Sequence, residues 1–224
     1  MSPGVSHPSV APSPSWRRIW PAPDPALAVA SAQGEIAVAR GRLWLTLLVL
    51  AIPFAALASG ITPEAVVGTG FAAFAVLLAI VIDRIVARRR HIPGLGFITS
   101  IADVTLVSLL QVGYLLIGMP TVAANSRTTY SVYLLALAAT AMRWDARVCV
   151  AAGAVATVQY AAISAVAWAM WAPQPTPDTA MYGRIVPGHQ VARLIILVAA
   201  TWLAVAIVRQ ATDAVSSPTR RTHS

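Results

Sequence analysis

Apolar residues fall along this chain in long runs separated by short polar breaks rich in arginine. Six runs stand out, at about 43–61, 65–82, 97–118, 128–142, 148–171 and 191–208. A helix needs roughly 20 apolar residues to cross a hydrocarbon core about 30 Å thick, so each run is read as one crossing. The first, "LWLTLLVLAIPFAALASGI", contains Pro53. Membrane helices tolerate proline because neighbouring groups re-satisfy the freed backbone. The fourth run is the shortest. Its 15 residues reach only about 22 Å at about 1.5 Å per residue. To span, it needs its flanking Arg127 and Arg143 to extend to the two interfaces.

The pattern predicts an all-α fold, a polytopic bundle of six transmembrane helices. Residues 1–25 precede it with seven prolines and several serines. Such a stretch cannot bury enough apolar surface to order itself and is read as a disordered tail. Within it, "SWRRIW" (Ser15–Trp20) is read as a solvated break with sticky residues, the alternative being contact with an anionic membrane surface. Residues 26–42 are expected to form a juxtamembrane helix, and residues 209–224 a short cytoplasmic tail. The first long apolar run starts too deep in the chain for a cleavable signal peptide.

Arginine placement sets the orientation. With a cytoplasmic N-terminus, the inner segments hold thirteen arginines. These are Arg17, Arg18, Arg40, Arg42, Arg84, Arg88, Arg89, Arg90, Arg143, Arg147, Arg209, Arg220 and Arg221. Only Arg127, Arg184 and Arg193 fall on the outer side. Thirteen against three obeys the positive-inside rule. The expected location is the bacterial inner membrane, crossed several times, with both termini cytoplasmic. Trp44 and Trp144 fit the inner interface, and Tyr130, Tyr133, Trp168 and Trp171 the outer one.

Composition agrees. The 224 residues are 58% hydrophobic and 11% charged, against about 25% charged in soluble domains. The net charge of +8 resides in the topology arginines, and no reader motif or aromatic-basic groove points to nucleic acid. Cys149 has no cysteine to pair with and reads as a small buried hydrophobe. The four histidines lack ligand spacing, so no metal is expected. "GTG" and "GLG" are not followed by G-K-[ST], and no G-x-S-x-G elbow occurs. No cofactor and no catalytic residue are expected.

Asp103 is the most informative single position. A carboxylate near the centre of a membrane helix costs about 2.5–3.5 kcal/mol, so it should pair, protonate or face the bundle interior. Depth argues against Arg193, whose helix enters from the opposite surface. Arg143 or the "RRRH" end is the expected neighbour. "RWDAR" (Arg143–Arg147) reads as a topology anchor with a local pair to Asp145. In the fifth run, Ala152, Gly153, Ala156 and Thr157 have the small-xxx-small spacing that permits close packing within a bundle or a dimer. Gln159 and Tyr160 should bond to neighbouring helices.

"NSRTTYSVYLLALAATAMRWDARVCVAAGAVATVQYAAISAVAW", "YGRIVPGHQVARLIILVAATWLAVAIVRQA" and "IADVTLVSLL" resemble the N-terminal membrane region of bacterial diguanylate cyclases. The resemblance covers about residues 40–210 and is most specific over 125–210. It implies a six-helix sensor that precedes a linker helix and a GGDEF domain making cyclic di-GMP from two GTP. Arg127, Tyr130, Tyr133, Arg143, Asp145, Arg147, Tyr160 and Arg193 match the membrane pattern. With Asp103 they are the candidate structural or sensing residues. The GGDEF motif and its "D-x-LTGL-x-NR" entry sequence have no counterpart after Arg209. The resemblance thus implies an input module whose output domain was lost, and which is no enzyme by itself. "AVSSPTRRTHS" (Ala214–Ser224) is expected to end the last helix, because proline breaks helices.

The expected partners are the lipid bilayer, and a second copy or a full-length relative in a dimer. A second class is a small-molecule carrier or substrate-binding transport subunit, with Asp103, Gln111, Tyr114 and Gln159 around a cavity at mid-depth.

Overall fold

The computed structural model describes the backbone of residues 25–88, 94–171, 176 and 178–221, and the side chains of 38–88, 94–171, 176 and 178–214. The tail expected at 1–25 lies outside these residues except for Pro25, and so does most of the "RRRH" stretch. The described residues form eight helices and no strand. They are α1 (Pro25–Ser59), α2 (Pro63–Arg88), α3 (Leu95–Leu116), α4 (Pro120–Asn125), α5 (Arg127–Ala141), α6 (Ala146–Trp171), α7 (Thr179–Tyr182) and α8 (Pro187–Arg221).

Five stretches are long and apolar enough to cross a membrane: Val38–Ser59, Pro63–Arg88, Leu95–Leu116, Ala146–Trp171 and Pro187–Ala214. This is the architecture of a multi-pass membrane protein. Five, not six, meet the length requirement. α5 has 15 residues and is stopped at both ends by local chemistry. The Ser126 side chain accepts the Thr129 N–H as an N-cap. At the other end Trp144 adopts a left-handed backbone, φ 58°, which no helix can continue through.

Two other boundaries differ from expectation. The segments 26–42 and 43–61 are one helix, α1, because the alanine-rich stretch before Leu43 offers no break stronger than single glycines. An interior glycine costs about 1 kcal/mol. α8 also does not stop where serine, proline and threonine begin. It continues through Pro218 to Arg221. Pro218 lies in the last turn, where it removes one backbone bond with little helix left to disrupt.

Successive long helices alternate in direction, and α5 takes its turn among them. At one end its Tyr130 meets Arg193 near the start of α8. At the other, Ala141 packs with Cys149 of α6 and Ala204 and Val208 of α8. α5 is therefore antiparallel to α6 and parallel to α8. The main core lies among α3, α5, α6 and α8, around Val104, Tyr133, Leu137, Ala152, Tyr160 and Leu197. α1 packs along α2 and stands outside this core, with 6% of its apolar span buried.

The small residues of α6 permit a close helix contact. A Cβ added at Gly153 would sit 2.1 Å from Thr201 Oγ1 and 2.7 Å from Thr201 Cβ. The glycine lets α6 and α8 approach within the bundle. Gly153→Ala is expected to destabilise the protein by about 1–3 kcal/mol, measured by thermal unfolding in detergent. Adding Thr201→Gly should recover much of that loss, whereas Thr201→Ala should recover less because the Cβ remains.

Candidate functional site

Polar side chains inside an apolar bundle need partners, because no water reaches them. Here they gather in three places along the bundle. One lies toward the Glu64 end, one at mid-depth and one toward the Arg42 end.

Toward the Glu64 end, Arg193 of α8 caps α4. Its Nη1 donates to the Ala124 carbonyl at 2.5 Å and to Tyr160 Oη at 3.1 Å. Its Nη2 donates to the Asn125 carbonyl at 2.8 Å. These carbonyls end a helix and have no partner within it, so a cation there is favourable. The guanidinium also lies 5.2 Å from the Tyr130 ring centroid, within cation–π range. Tyr130 Oη donates to the Arg193 carbonyl at 2.7 Å. Tyr160 Oη donates to Gln190 Oε1 at 2.7 Å, and Gln190 Nε2 to Asn125 Oδ1 at 2.8 Å.

At mid-depth, Tyr133 donates to Gln111 Oε1 at 2.9 Å and lies 2.7 Å from Ser108 Oγ. Gln159 accepts from Ser108 and donates to Thr105 Oγ1 at 3.1 Å. Tyr133 is fully buried and packs edge-on against Tyr160 at 5.9 Å. It is a core residue, not the interfacial belt residue expected from sequence, because its inward face meets two polar partners.

Toward the Arg42 end, Asp103 pairs with Arg42 of α1. Arg42 Nη2 and Nε donate to Asp103 Oδ2 at 2.6 and 3.0 Å. Arg143, an expected neighbour, lies near enough to act on Asp103 electrostatically, but the direct ion pair is made by Arg42, which the sequence marks only as a topology signal. The continuous helix α1 places Arg42 alongside Asp103 of α3.

Between the α1–α2 hairpin and α3 and α5 lies a cavity of about 940 Å³. Its walls are apolar and include Leu45, Pro53, Phe71, Val107 and Leu110. Arg42 and Asp103 line one end, and Glu64, Asp178 and Tyr182 the other. A strap, residues 178–186 around α7, lines the Glu64 end. Asp178 Oδ2 accepts the N–H groups of Thr121 and Val122 at 2.9 and 3.0 Å, at the start of α4. Tyr182 donates to the Glu64 carboxylate. Asn125 Nδ2 reaches the Tyr182 and Arg184 carbonyls at 3.1 Å.

Burial alone would raise the Asp178 carboxyl. Donors from Thr121, Thr176 and Val122 outweigh it and hold the group below its ordinary value. Burial and the Glu64 carboxylate push the Tyr182 phenol up, so it remains a neutral donor.

The candidate residues thus divide. Tyr130, Tyr160 and Arg193 form one cluster, with Tyr133 beside it. Asp103 lies apart from them on α3, earlier in the helix than Ser108 and Gln111, the partners of Tyr133. Arg143 is buried in the turn after α5, where Asp145 Oδ1 accepts the Arg147 N–H at 2.9 Å. Arg127 is exposed at the start of α5. Sequence reasoning missed Arg42, Glu64, Asn125, Asp178, Tyr182 and Gln190. Glu64 and Asp178 carried a usable signal, as carboxylates bordering apolar runs. Among the described residues no group of histidine, cysteine or acidic side chains could hold a metal.

Compared with protein families, characterised proteins and solved structures, the chain matches none. The resemblance over residues 40–210 stands on the quoted residues alone.

Arg42→Ala leaves Asp103 without its ion-pair partner. Breaking a buried pair from one side costs about 3–5 kcal/mol, so a large drop in melting temperature is expected. The double replacement Arg42→Met with Asp103→Leu should melt much closer to the parent. Asp178 gives a pH prediction. Its lowered carboxyl contributes stability above its unfolded value of 3.8, and loses it as pH falls further. A fluorophore on Met181→Cys should report strap release only below that value, and Asp178→Asn should release the strap at all pH values.

Proposed function

We propose that this chain is a signal-input module of the bacterial inner membrane, non-catalytic by itself, which transmits through α8. The observation that carries this reading is that α8 is one unbroken helix from the Arg193 cluster to Arg221. Any change that shifts Arg193 must tilt or turn a rod that emerges at the other end. About 35 residues at about 1.5 Å each give it a length near 52 Å. That exceeds a hydrocarbon core of about 30 Å. The resemblance to the input region of diguanylate cyclases supports the same direction of flow. Such a module would act on a second copy or on a full-length relative in a mixed dimer.

On this reading α5 is the sixth crossing. Its alternation in direction supports that, and Arg127 and Arg143 flank it at the right places to reach the interfaces. The Arg42 end carries most arginines and would face the cytoplasm. A topology reporter fused after Arg209 should give a cytoplasmic signal. A periplasmic signal there would remove α5 from the count.

The output step is tested by joining a diguanylate cyclase catalytic domain after Ala214 by a helical linker. Inserting one linker residue turns the domain by about 100°, while seven residues nearly restore its phase. Cyclic di-GMP output should change with the first insertion, recover with the second, and shift with Arg193→Ala. Equal output from all chimeras would rule out transmission through α8.

The cavity favours a second reading, a carrier or transport subunit. Asp103 and Tyr114 do line it. Gln111 and Gln159 are instead committed to the mid-depth network, which leaves fewer groups to hand a solute across. Uptake of a lipophilic solute into proteoliposomes would favour this reading.

A further inference from the structure

The cavity has an unequal distribution of charge along its length. Four charged residues line it: Arg42, Glu64, Asp103 and Asp178. At one end Arg42 and Asp103 neutralise each other at 2.6 Å. At the other, Glu64 and Asp178 have no cation among the lining residues. Glu64 is held by a single phenol, that of Tyr182. Asp178 is 5% exposed and its Oδ2 is already taken by the Thr121 and Val122 amides, so it contributes negative charge at this end without a cation to balance it. The same end presents Tyr114, whose hydroxyl is 3.1 Å from where a Gly68 Cβ would stand.

We propose that this cavity binds an amphiphilic cation. The ammonium head sits among Glu64, Asp178, Tyr114 and Tyr182, and one apolar chain lies along α1 toward Arg42. Two carboxylates and two aromatic rings are the groups that hold an ammonium, by charge-assisted bonds and by the ring quadrupole. The volume of about 940 Å³ lies within the range of roughly 300–1,000 Å³ typical of ligand sites. An anionic amphiphile is disfavoured in either direction. Its head would meet Glu64 and Asp178 at one end, or have to displace Asp103 from Arg42 at the other. A zwitterionic phospholipid would bring its phosphate against the same carboxylates. The strap around α7 forms the wall on the head side, through Asp178, Met181 and Tyr182. An occupied head site therefore touches the segment that leads directly into α8.

This deepens the input-module reading by naming what the input is, but its test reads binding alone. The full chain in phosphatidylcholine nanodiscs is labelled with a photoreactive dodecyltrimethylammonium analogue, and the labelled residues are mapped by mass spectrometry. Label is expected on the cavity wall, at Leu45, Phe71 or Leu110. Unlabelled dodecyltrimethylammonium should compete for it. Dodecanoate and dodecylphosphocholine of equal chain length should compete about tenfold less well or worse. Glu64→Gln, which keeps an acceptor for the Tyr182 hydroxyl, should cut labelling by a similar factor, and Tyr114→Phe by less. Equal competition by all three amphiphiles would overturn the proposal. So would label spread evenly over lipid-facing positions such as Trp202 and Leu203. Selective labelling together with phase-independent chimeras would leave the cation site standing and remove only the signalling role.

Discussion

One guanidinium organises the half of the bundle nearest the strap. Arg193 sits on α8, yet its donors end on α4 carbonyls and on a tyrosine of α6. Its backbone carbonyl in turn receives a tyrosine of α5. A six-residue helix such as α4 cannot hold itself together, since isolated helices that short are unstable. It persists because Arg193 satisfies its last carbonyls and Asp178 its first amides. Both ends of α4 are therefore held by groups distant in sequence, and α4 becomes the joint between the core helices and the strap. Loss of either cap would free the other end.

The rest of the molecule is held unevenly. α3, α5, α6 and α8 share a packed interior with tyrosines and amides satisfied within it. α1 has little such interior. It leans on α2 and reaches α3 through the Arg42–Asp103 pair. In lipid, apolar contact between helices gains little over contact with acyl chains. A polar tie then matters more than its number of atoms implies. That tie lines one end of the cavity and the strap lines the other.

Much of the fold was legible in the hydropathy pattern, and specific details show where it stopped being so. The long runs gave the helices of α2, α3 and α6 to within a few residues, except that α2 runs on to Arg88. α5 was flagged by its length, and length is what separates it from the other five. The polar partners of Gln159 and Tyr160 followed from the cost of burying amides and phenols in lipid. Asp103 was legible as a residue that must pair, but its partner was not. That depended on α1 being continuous, and propensity before Leu43 was too weak a signal. The cavity was invisible because it depends on how the α1–α2 hairpin sits against α3 and α5. Asp178 looked like an ordinary loop acid, and its role arises only where the strap folds over α4.

The closeness of α6 and α8 at Gly153 and Thr201 has a mechanical meaning. Two backbones pressed together at one level act as a fulcrum there. Sliding α8 along its axis would drive the Thr201 side chain into residues larger than glycine, whereas rocking about that level would re-pack Leu197 on one side and Ala204 and Val208 on the other. The portion above, with Arg193, and the portion below, toward Arg221, would swing in opposite senses. A small displacement near the strap would thus be inverted and magnified by the longer arm before it reached the far tip.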